Sequence, residues 1–252
     1  MSSDLGSGHR GRNTGRVNDT TTAGGVRARV RAELTEAIKT TARAHIASEG
    51  ASGLSLRAVA RELKMASSAI YRYFPSREAL LTALIVDAYD TLGAQVEEAE
   101  ATCNRDDFED RWLTVAHAVR DWALENPNEY ALIYGSPVPG YAAPEDTVGP
   151  ATRVPVVMFR LLADMVEAGV AVAAPDPIVV DEVLAAEFES VASAAGVSAP
   201  PGLVASGMAS WAQTFGLISF ELFGHLENVV TPQNRRVFFD HAMRAAAARL
   251  GA

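Results

Sequence analysis

A group of hydroxyl and cationic side chains lies between residues 64 and 77, at spacings that suit contact with a polyanion. If Ile70 and Phe74 face inward on a short helix, the i, i+3 and i+4 spacing places four polar side chains on its outer face: Ser67, Ser68, Tyr71 and Arg72. Hydroxyl and guanidinium groups are donors that bind the phosphates and base edges of DNA. The same pattern also fits the solvated face of a small helical hairpin, and the pattern alone does not decide between the two.

The elements that must position these side chains are three helices and the start of a fourth. Apolar residues recur on one face of a first helix that ends near Gly50: Leu34, Ile38, Ala42 and Ile46. Ser55 is a suitable N-cap for a second helix, Pro75 ends the third, and Ser76 caps a fourth that continues to about residue 100. A helix, a tight turn and a short helix predict a helix-turn-helix, whose second helix enters the major groove of DNA.

The charge of the chain is divided in a way that agrees with a polyanionic partner near its start. The 252 residues include 22 Lys and Arg and 31 Asp and Glu, for a net charge of −9. Residues 1–81 hold 13 basic and 7 acidic residues, a balance of +6, and residues 82–252 hold the other 9 basic and 24 acidic residues, a balance of −15. Opposite signs on two parts of one chain indicate two separate tasks.

Helical periodicity continues through the rest of the chain, and no segment alternates with the period of two that a strand requires. Beyond the fourth helix, helices are predicted at about 107–126, through Tyr130 and Tyr134, and, after a Gly- and Pro-rich loop at 135–150, at about 152–168, 177–194, 202–229 and 232–250. The expected fold is all-α with about nine helices. We predict a disordered arm at 1–26, a helix-turn-helix DNA-binding domain at 27–82 and a regulatory and dimerisation domain at 83–252.

Composition excludes several classes of protein. A single cysteine, Cys103, rules out a disulfide scaffold and suits a reducing cytosol. The uncharged stretch of most interest, residues 203–220, carries too many hydroxyl and amide groups to cross a bilayer, and residues 1–26 lack the pattern of a signal peptide. The histidines do not show metal-ligand spacing. We therefore expect a cytoplasmic protein without membrane contact, metal, cofactor or catalytic residues.

Two runs of residues carry a more specific signature. Residues 54–63 read LSLRAVAREL and residues 68–80 read SAIYRYFPSREAL. They resemble the N-terminal domain of TetR-family transcriptional regulators, and the resemblance extends from about residue 30 to 85. It implies that phosphate is bound by Tyr71, Tyr73 and Arg77, and by Ser55 from the second helix. With the pattern above, the predicted DNA-binding set is Ser55, Lys64, Ser67, Ser68, Tyr71, Arg72, Tyr73 and Arg77.

The turn of this motif departs from the family pattern. Lys64 and Ala66 stand where the family often has Gly and a Ser or Thr. Lys64 is therefore expected to take a left-handed backbone conformation, which is uncommon outside Gly, Asn and Asp.

The rear of the chain resembles one C-terminal subgroup of the same family, in residues 122–135, 211–216 and 220–225. In the family this domain dimerises and holds an inducer pocket. The helix at 202–229 is apolar nearly all round, and with the Ala-rich helix at 232–250 it is consistent with a four-helix dimer seam. Small residues would admit a second helix there: Gly207, Ala209, Ala212 and Gly216. The alternative is that this is the central helix of a monomeric core.

Large apolar side chains and a few polar groups in this rear part predict a pocket for an apolar or aromatic ligand. Its expected lining is Trp112, His117, Tyr130, Tyr134, Met158, Met165, Trp211 and Phe215. The leading hypothesis is a homodimeric repressor that binds double-stranded operator DNA and releases it when a small molecule binds. The alternative is an all-α small-molecule-binding protein or enzyme with a vestigial helix-turn-helix.

Overall fold

The computed structural model describes residues 20–170 and 178–252, with side chains from residue 25 onward. Within these ranges the chain forms ten α-helices, two short 3₁₀ turns and no strand, which confirms the predicted all-α fold. The helices are α1 (Thr20–Glu49), α2 (Leu56–Glu62), α3 (Ser67–Ile70), α4 (Arg77–Ala101), α5 (Phe108–Glu125), α6 (Pro127–Tyr134), α7 (Val148–Glu167), α8 (Glu182–Ala194), α9 (Pro201–Leu222) and α10 (Pro232–Leu250).

A first hydrophobic core joins α1, α2, α3 and the N-terminal half of α4. Its centre is formed by Ile38, Val59, Ile70 and Leu81, which are fully buried. The predicted caps are present, because the Oγ of Ser55 accepts the backbone N–H of Ala58 and the Oγ of Ser76 accepts that of Ala79. These caps and this core fix the ends of the short helices that carry the polar side chains.

A second, larger core joins the C-terminal half of α4 to helices α5, α6, α7, α9 and α10. Leu92, Tyr130, Leu161 and Met165 are almost completely buried in it. Since Leu81 and Leu84 on the same α4 belong to the first core, this helix is a structural member of both cores. The two parts of the molecule are therefore joined by a continuous helix.

Helix α7 crosses α4 at a point where α4 has no side chain. A Cβ atom at Gly93 would lie 2.7 Å from the Cβ of Arg153, so only glycine allows this approach. The Arg153 guanidinium then donates to Glu97 at 2.7 Å and to Asp90 at 3.0 Å on α4. The hydrogen bond from Arg153 lowers the pKa of Glu97, which indicates that the pair favours the charged carboxylate.

Several element boundaries differ from those predicted. Helix α1 begins at Thr20, earlier than the expected start at Arg27, because a helix already packed along its C-terminal half extends at little cost. The remainder of the predicted arm, residues 1–19, lies outside the described residues. The loop predicted at 135–150 is shorter, since α7 begins at Val148 and accommodates Pro150 in its first turn.

Two further boundaries in the rear part also move. Helix α8 begins at Glu182, where Asp181 caps it by accepting the N–H of Leu184 at 2.9 Å, and position 177 lies outside the described residues. Helix α9 ends at Leu222 and not near residue 229, since Gly224 takes a positive φ of 79° and the chain then turns.

Helix α4 has the length and hydropathy that a bilayer-spanning helix needs, and within the described residues it is the one helix that does. Its apolar residues are occupied inside the protein, where eight positions are buried: Leu80, Leu81, Leu84, Ile85, Ala88, Leu92, Gly93 and Val96. Its hydropathy is therefore explained by its membership of both cores.

Candidate nucleic-acid interface and apolar cavity

The turn between α2 and α3 has the geometry of a helix-turn-helix. The backbone N–H of Met65 closes the turn by donating to the carbonyl of Ala60 at 2.8 Å. Lys64 has a φ of 55°, which confirms the left-handed conformation expected for this residue. The departure from glycine therefore leaves the turn intact, and the lysine side chain points into solvent.

The outer face of α3 and the residues that follow it carry exposed polar groups. Ile70 is fully buried and Phe74 nearly so, which places the opposite side of this segment in solvent. The exposed predicted residues are Lys64, Ser67, Ser68, Tyr71 and Arg72. Tyr71 is the one of these side chains with an aromatic ring, and it is 43% exposed. The face offers hydroxyl, ammonium and guanidinium donors and no acidic group, which suits phosphate and base edges.

The other three predicted residues make contacts with other residues of the protein. Ser55 caps α2, and Tyr73 lies under the guanidinium of Arg31, 5.2 Å from the ring centroid. The guanidinium of Arg77 donates to the carbonyls of Leu54 at 3.1 Å and Ala51 at 2.8 Å. Two of its three nitrogens therefore hold the turn before α2, and its Nη1 lies 3.8 Å from Glu78. These three side chains therefore help to hold α2 and the segment after α3 in place.

Two exposed arginines on α2, Arg57 and Arg61, were missed by the sequence prediction. They lie four residues apart and therefore share one face of the helix. The prediction considered only the apolar positions of α2, although the cationic pair at this spacing was a readable signal.

An apolar cavity of about 280 Å³ lies between α5, α7 and α9. It is lined by Trp112, Pro155, Met158, Phe159, Leu162, Val204, Gly207, Met208 and Trp211. The indole N–H of Trp112 already donates to the carbonyl of Met243 at 3.0 Å. Such a cavity suits an apolar or aromatic guest.

Three of the eight predicted pocket residues line this cavity: Trp112, Met158 and Trp211. Three others form an aromatic cluster beside it, since the ring of Phe215 lies 5.0 Å from Trp211 and 4.3 Å from Tyr134, and the hydroxyl of Tyr130 donates to the carbonyl of Phe215. Burial raises the pKa of Tyr134 above that of a free tyrosine, so its hydroxyl stays protonated. The cluster then reaches α4, because Tyr134 meets Tyr89 edge to face at 6.0 Å.

The last two predicted pocket residues lie elsewhere. Met165 is fully buried in the second core and lines no part of the cavity. His117 lies on a separate polar groove between α4, α5 and α10, where its Nε2 lies 3.2 Å from the Oδ1 of Asp240. Hydrogen bonds from Arg244 and His117 lower the pKa of Asp240. Helical spacing could not reveal this placement, because it depends on which neighbour α5 meets on each side.

The comparisons with known proteins agree with this geometry. The family model "Bacterial regulatory proteins, tetR family" matches residues 38–84, and "Tetracyclin repressor-like, C-terminal domain" matches residues 112–246. The HTH-type transcriptional regulator Rv1816 of Mycobacterium tuberculosis is 42% identical over 205 residues, which cover 79% of this chain and 85% of the relative. The chain belongs to the TetR family. It is a helix-turn-helix transcriptional regulator by descent.

Two solved structures are similar to this chain over most of its length. The crystal structure of SCO4313, described as a regulatory protein, is 30% identical, has a TM-score of 0.71 and covers 87% of this chain and 97% of its own. A protein from Rhodococcus sp. RHA1 is 21% identical, has a TM-score of 0.61 and covers 86% and 93%. The second shows likeness of fold alone, and the first is similar to this chain over both cores.

The last two helices of this TetR-family chain expose an apolar face. Ala212, Gly216 and Phe220 are exposed at four-residue intervals on α9, and Phe238 is exposed on α10. Phe220 is 52% exposed and Phe238 is 41% exposed. Gly207 has a different role from that predicted, because a Cβ there would lie 2.8 Å from Leu162, so it admits α7 of its own chain.

Proposed function

We propose that this TetR-family chain is a homodimeric repressor that binds double-stranded operator DNA and is released by a small apolar or aromatic molecule. The observation that carries the proposal is the sharing of α4 between the core of the helix-turn-helix and the core beside the apolar cavity. Any shift of α4 caused at the cavity is transmitted to α3, because a packed helix moves as a rigid element.

The proposed dimer is formed by the exposed apolar face of α9 and α10. Dimeric helix-turn-helix proteins place two reading helices in major grooves about one DNA turn apart, which matches the need for two copies of the short α3. A two-fold axis brings Ala212, Gly216 and Phe220 of one protomer against the same residues of its partner. Small residues at two of these positions permit the close approach of the helices.

The proposed route from ligand to DNA runs through the aromatic cluster. Trp211 borders the cavity, Phe215 and Tyr134 continue the contact, and Tyr89 belongs to α4. A guest that displaces the Trp211 ring must move Phe215 or Tyr134, since aromatic side chains packed at these distances cannot shift independently. The repressor form is the one in which this cluster is undisturbed.

We propose that the chain acts by binding and not by catalysis, and that it works in the cytoplasm where DNA is available. Residues 27–82 would form the DNA-binding part and residues 83–252 the regulatory part, with the functional division placed inside α4. The predicted DNA-contact set remains a prediction, in which the exposed residues are the direct contacts.

Tyr71→Phe is expected to weaken DNA binding without unfolding the protein. The substitution removes one hydroxyl donor to phosphate from each protomer, at about 1 kcal/mol each, so the dimer loses about 2 kcal/mol or roughly 30-fold in Kd. The measurement is an equilibrium titration against a duplex obtained by selection from random DNA with the full chain. Tyr141→Phe serves as a matched control, because this hydroxyl lies 3.0 Å from Thr82 and away from α3. Equal affinity of Tyr71→Phe and the native chain would remove α3 from the contact surface.

An apolar aromatic molecule that enters the cavity is expected to quench tryptophan fluorescence and to lower affinity for the selected duplex by about 5- to 150-fold, corresponding to a coupling of about 1–3 kcal/mol. A small library of uncharged aromatic compounds is screened by fluorescence, and each hit is then titrated in the presence of DNA. Val204→Trp fills the cavity and should abolish the response to every hit. Hits that bind this variant as well as the native chain would place the ligand elsewhere.

A further inference from the structure

The N-terminal part of α1 projects from the first core as an exposed helical segment. Every residue from 25 to 33 is exposed, and the first fully buried side chain of α1 is Ile38. The exposed segment has a length of about 13 Å, at 1.5 Å per residue. It needs no packing of its own to be helical, because it extends a helix that the core has already nucleated.

The charges of this projecting segment are separated between two faces. Arg27 and Arg31 lie four residues apart and share one face, whereas Arg29 and Glu33 share the other. The Nε of Arg29 lies 3.7 Å from a carboxylate oxygen of Glu33, so that face is close to neutral. The face of Arg27 and Arg31 is cationic, because the four-residue spacing places both arginines on the same side of the helix.

Arg31 shows where the cationic face is directed. Its guanidinium donates to the backbone carbonyl of Arg72 at 3.0 Å and lies over the ring of Tyr73. These residues directly follow α3, and the neighbouring Tyr71 side chain is exposed beside them. Arg27 lies four residues further out on the same face, about 6 Å along the axis. It therefore extends the polar surface of α3 beyond the edge of the first core.

We infer that the face of α1 defined by Arg27 and Arg31 is a second DNA-contact element, which binds backbone phosphate just outside the base pairs read by α3. The inference rests on the proposed function, since it requires α3 to lie in the major groove. The occupant is double-stranded DNA because the face is cationic, has no acidic side chain on its own side between residues 25 and 33, and continues the surface that the groove would meet.

The test compares Arg27→Ala with Arg29→Ala on two duplexes that share the selected core site. The long duplex extends about ten base pairs beyond the site on each side, and the short one ends at the site. Arg27→Ala is expected to weaken binding of the long duplex by about 3- to 10-fold and to reduce its salt slope by about two, one phosphate for each protomer. Arg29→Ala is the matched control, because the same change in the same helix removes an arginine already paired with Glu33. Alanine favours the helix in both variants, so circular dichroism should show unchanged helicity.

The outcomes separate this inference from the proposed function. If Tyr71→Phe weakens binding of both duplexes but Arg27→Ala weakens neither, the projecting helix makes no DNA contact and the inference is wrong. If Arg27→Ala and Arg29→Ala weaken binding equally, the effect is general charge and not a directed face, which also overturns it. If neither Tyr71→Phe nor Arg27→Ala changes affinity, the helix-turn-helix does not read DNA and both proposals fail together.

Discussion

Gly216→Arg is expected to convert the protein from a dimer to a monomer and to lower its affinity for the selected duplex by about 100-fold or more. A Cβ at Gly216 meets no other part of the described chain within 4 Å beyond the adjoining turns of its own helix, so the substitution causes no steric clash at that position within one protomer. At a two-fold seam, each arginine is directed at the partner's equivalent position, which adds charge repulsion to steric exclusion. DNA affinity then falls because the second half-site is no longer held at high effective concentration.

Gly149→Arg provides the matched control for this experiment. It makes the same change in a helix, at an exposed glycine whose Cβ direction is equally open, but on α7 and away from α9 and α10. Light scattering should give twice the chain mass of 26.7 kDa for the native protein and for Gly149→Arg, and about one chain mass for Gly216→Arg. A native protein that scatters as a single chain at high concentration, or a Gly216→Arg variant that remains dimeric, contradicts the proposed seam.

Arg120→Met is expected to destabilise the fold by about 3–5 kcal/mol, because it leaves a buried carboxylate without its partner. The Arg120 guanidinium on α5 donates to both carboxylate oxygens of Glu221 on α9, at 2.8 and 2.6 Å. The two side chains are only 6% and 9% exposed, so water cannot replace the lost bonds. For a chain of this length the melting temperature should fall by about 10 °C or more.

The double variant Arg120→Met with Glu221→Leu distinguishes the loss of one partner from the value of the pair itself. A buried ion pair replaced by apolar side chains of similar size is often close to neutral, so most of the lost melting temperature should return. All three proteins must be compared at one protein concentration, because the stability of a dimer depends on it. If the double variant is as unstable as Arg120→Met, packing of the arginine against Phe239 explains the effect and the charge pairing does not.

The front of the fold was readable from sequence because its signals are local. Ser55 and Ser76 cap the helices as predicted, Ile70 and Phe74 face inward, and Lys64 takes the left-handed backbone required by the turn. Each of these depends on neighbours within four residues, which is the distance over which helical periodicity and capping act.

The interior of the rear part was not readable in the same way. Helical spacing identified Trp112, Met158 and Trp211, but it could not tell the cavity from the adjoining cluster of Tyr134 and Phe215. That distinction depends on how far α7 approaches α4 and α9, which is set by contacts between residues distant in sequence, such as Arg153 across Gly93. Periodicity gives the inward face of each helix and not the depth of packing behind it.

The continuity of α4 limits how the two parts of this protein can be recombined with those of relatives. A chimera that joins the helix-turn-helix of one regulator to the sensor of another has to be cut inside this helix, between Ile85 of the first core and Ala88 of the second. One inserted or deleted residue at such a junction rotates one part by about 100° relative to the other and displaces it by about 1.5 Å. A junction must therefore preserve the number of residues between the two cores. Only then does α3 keep its orientation relative to the proposed dimer face on α9 and α10, so an active chimera has to preserve the helical phase of α4.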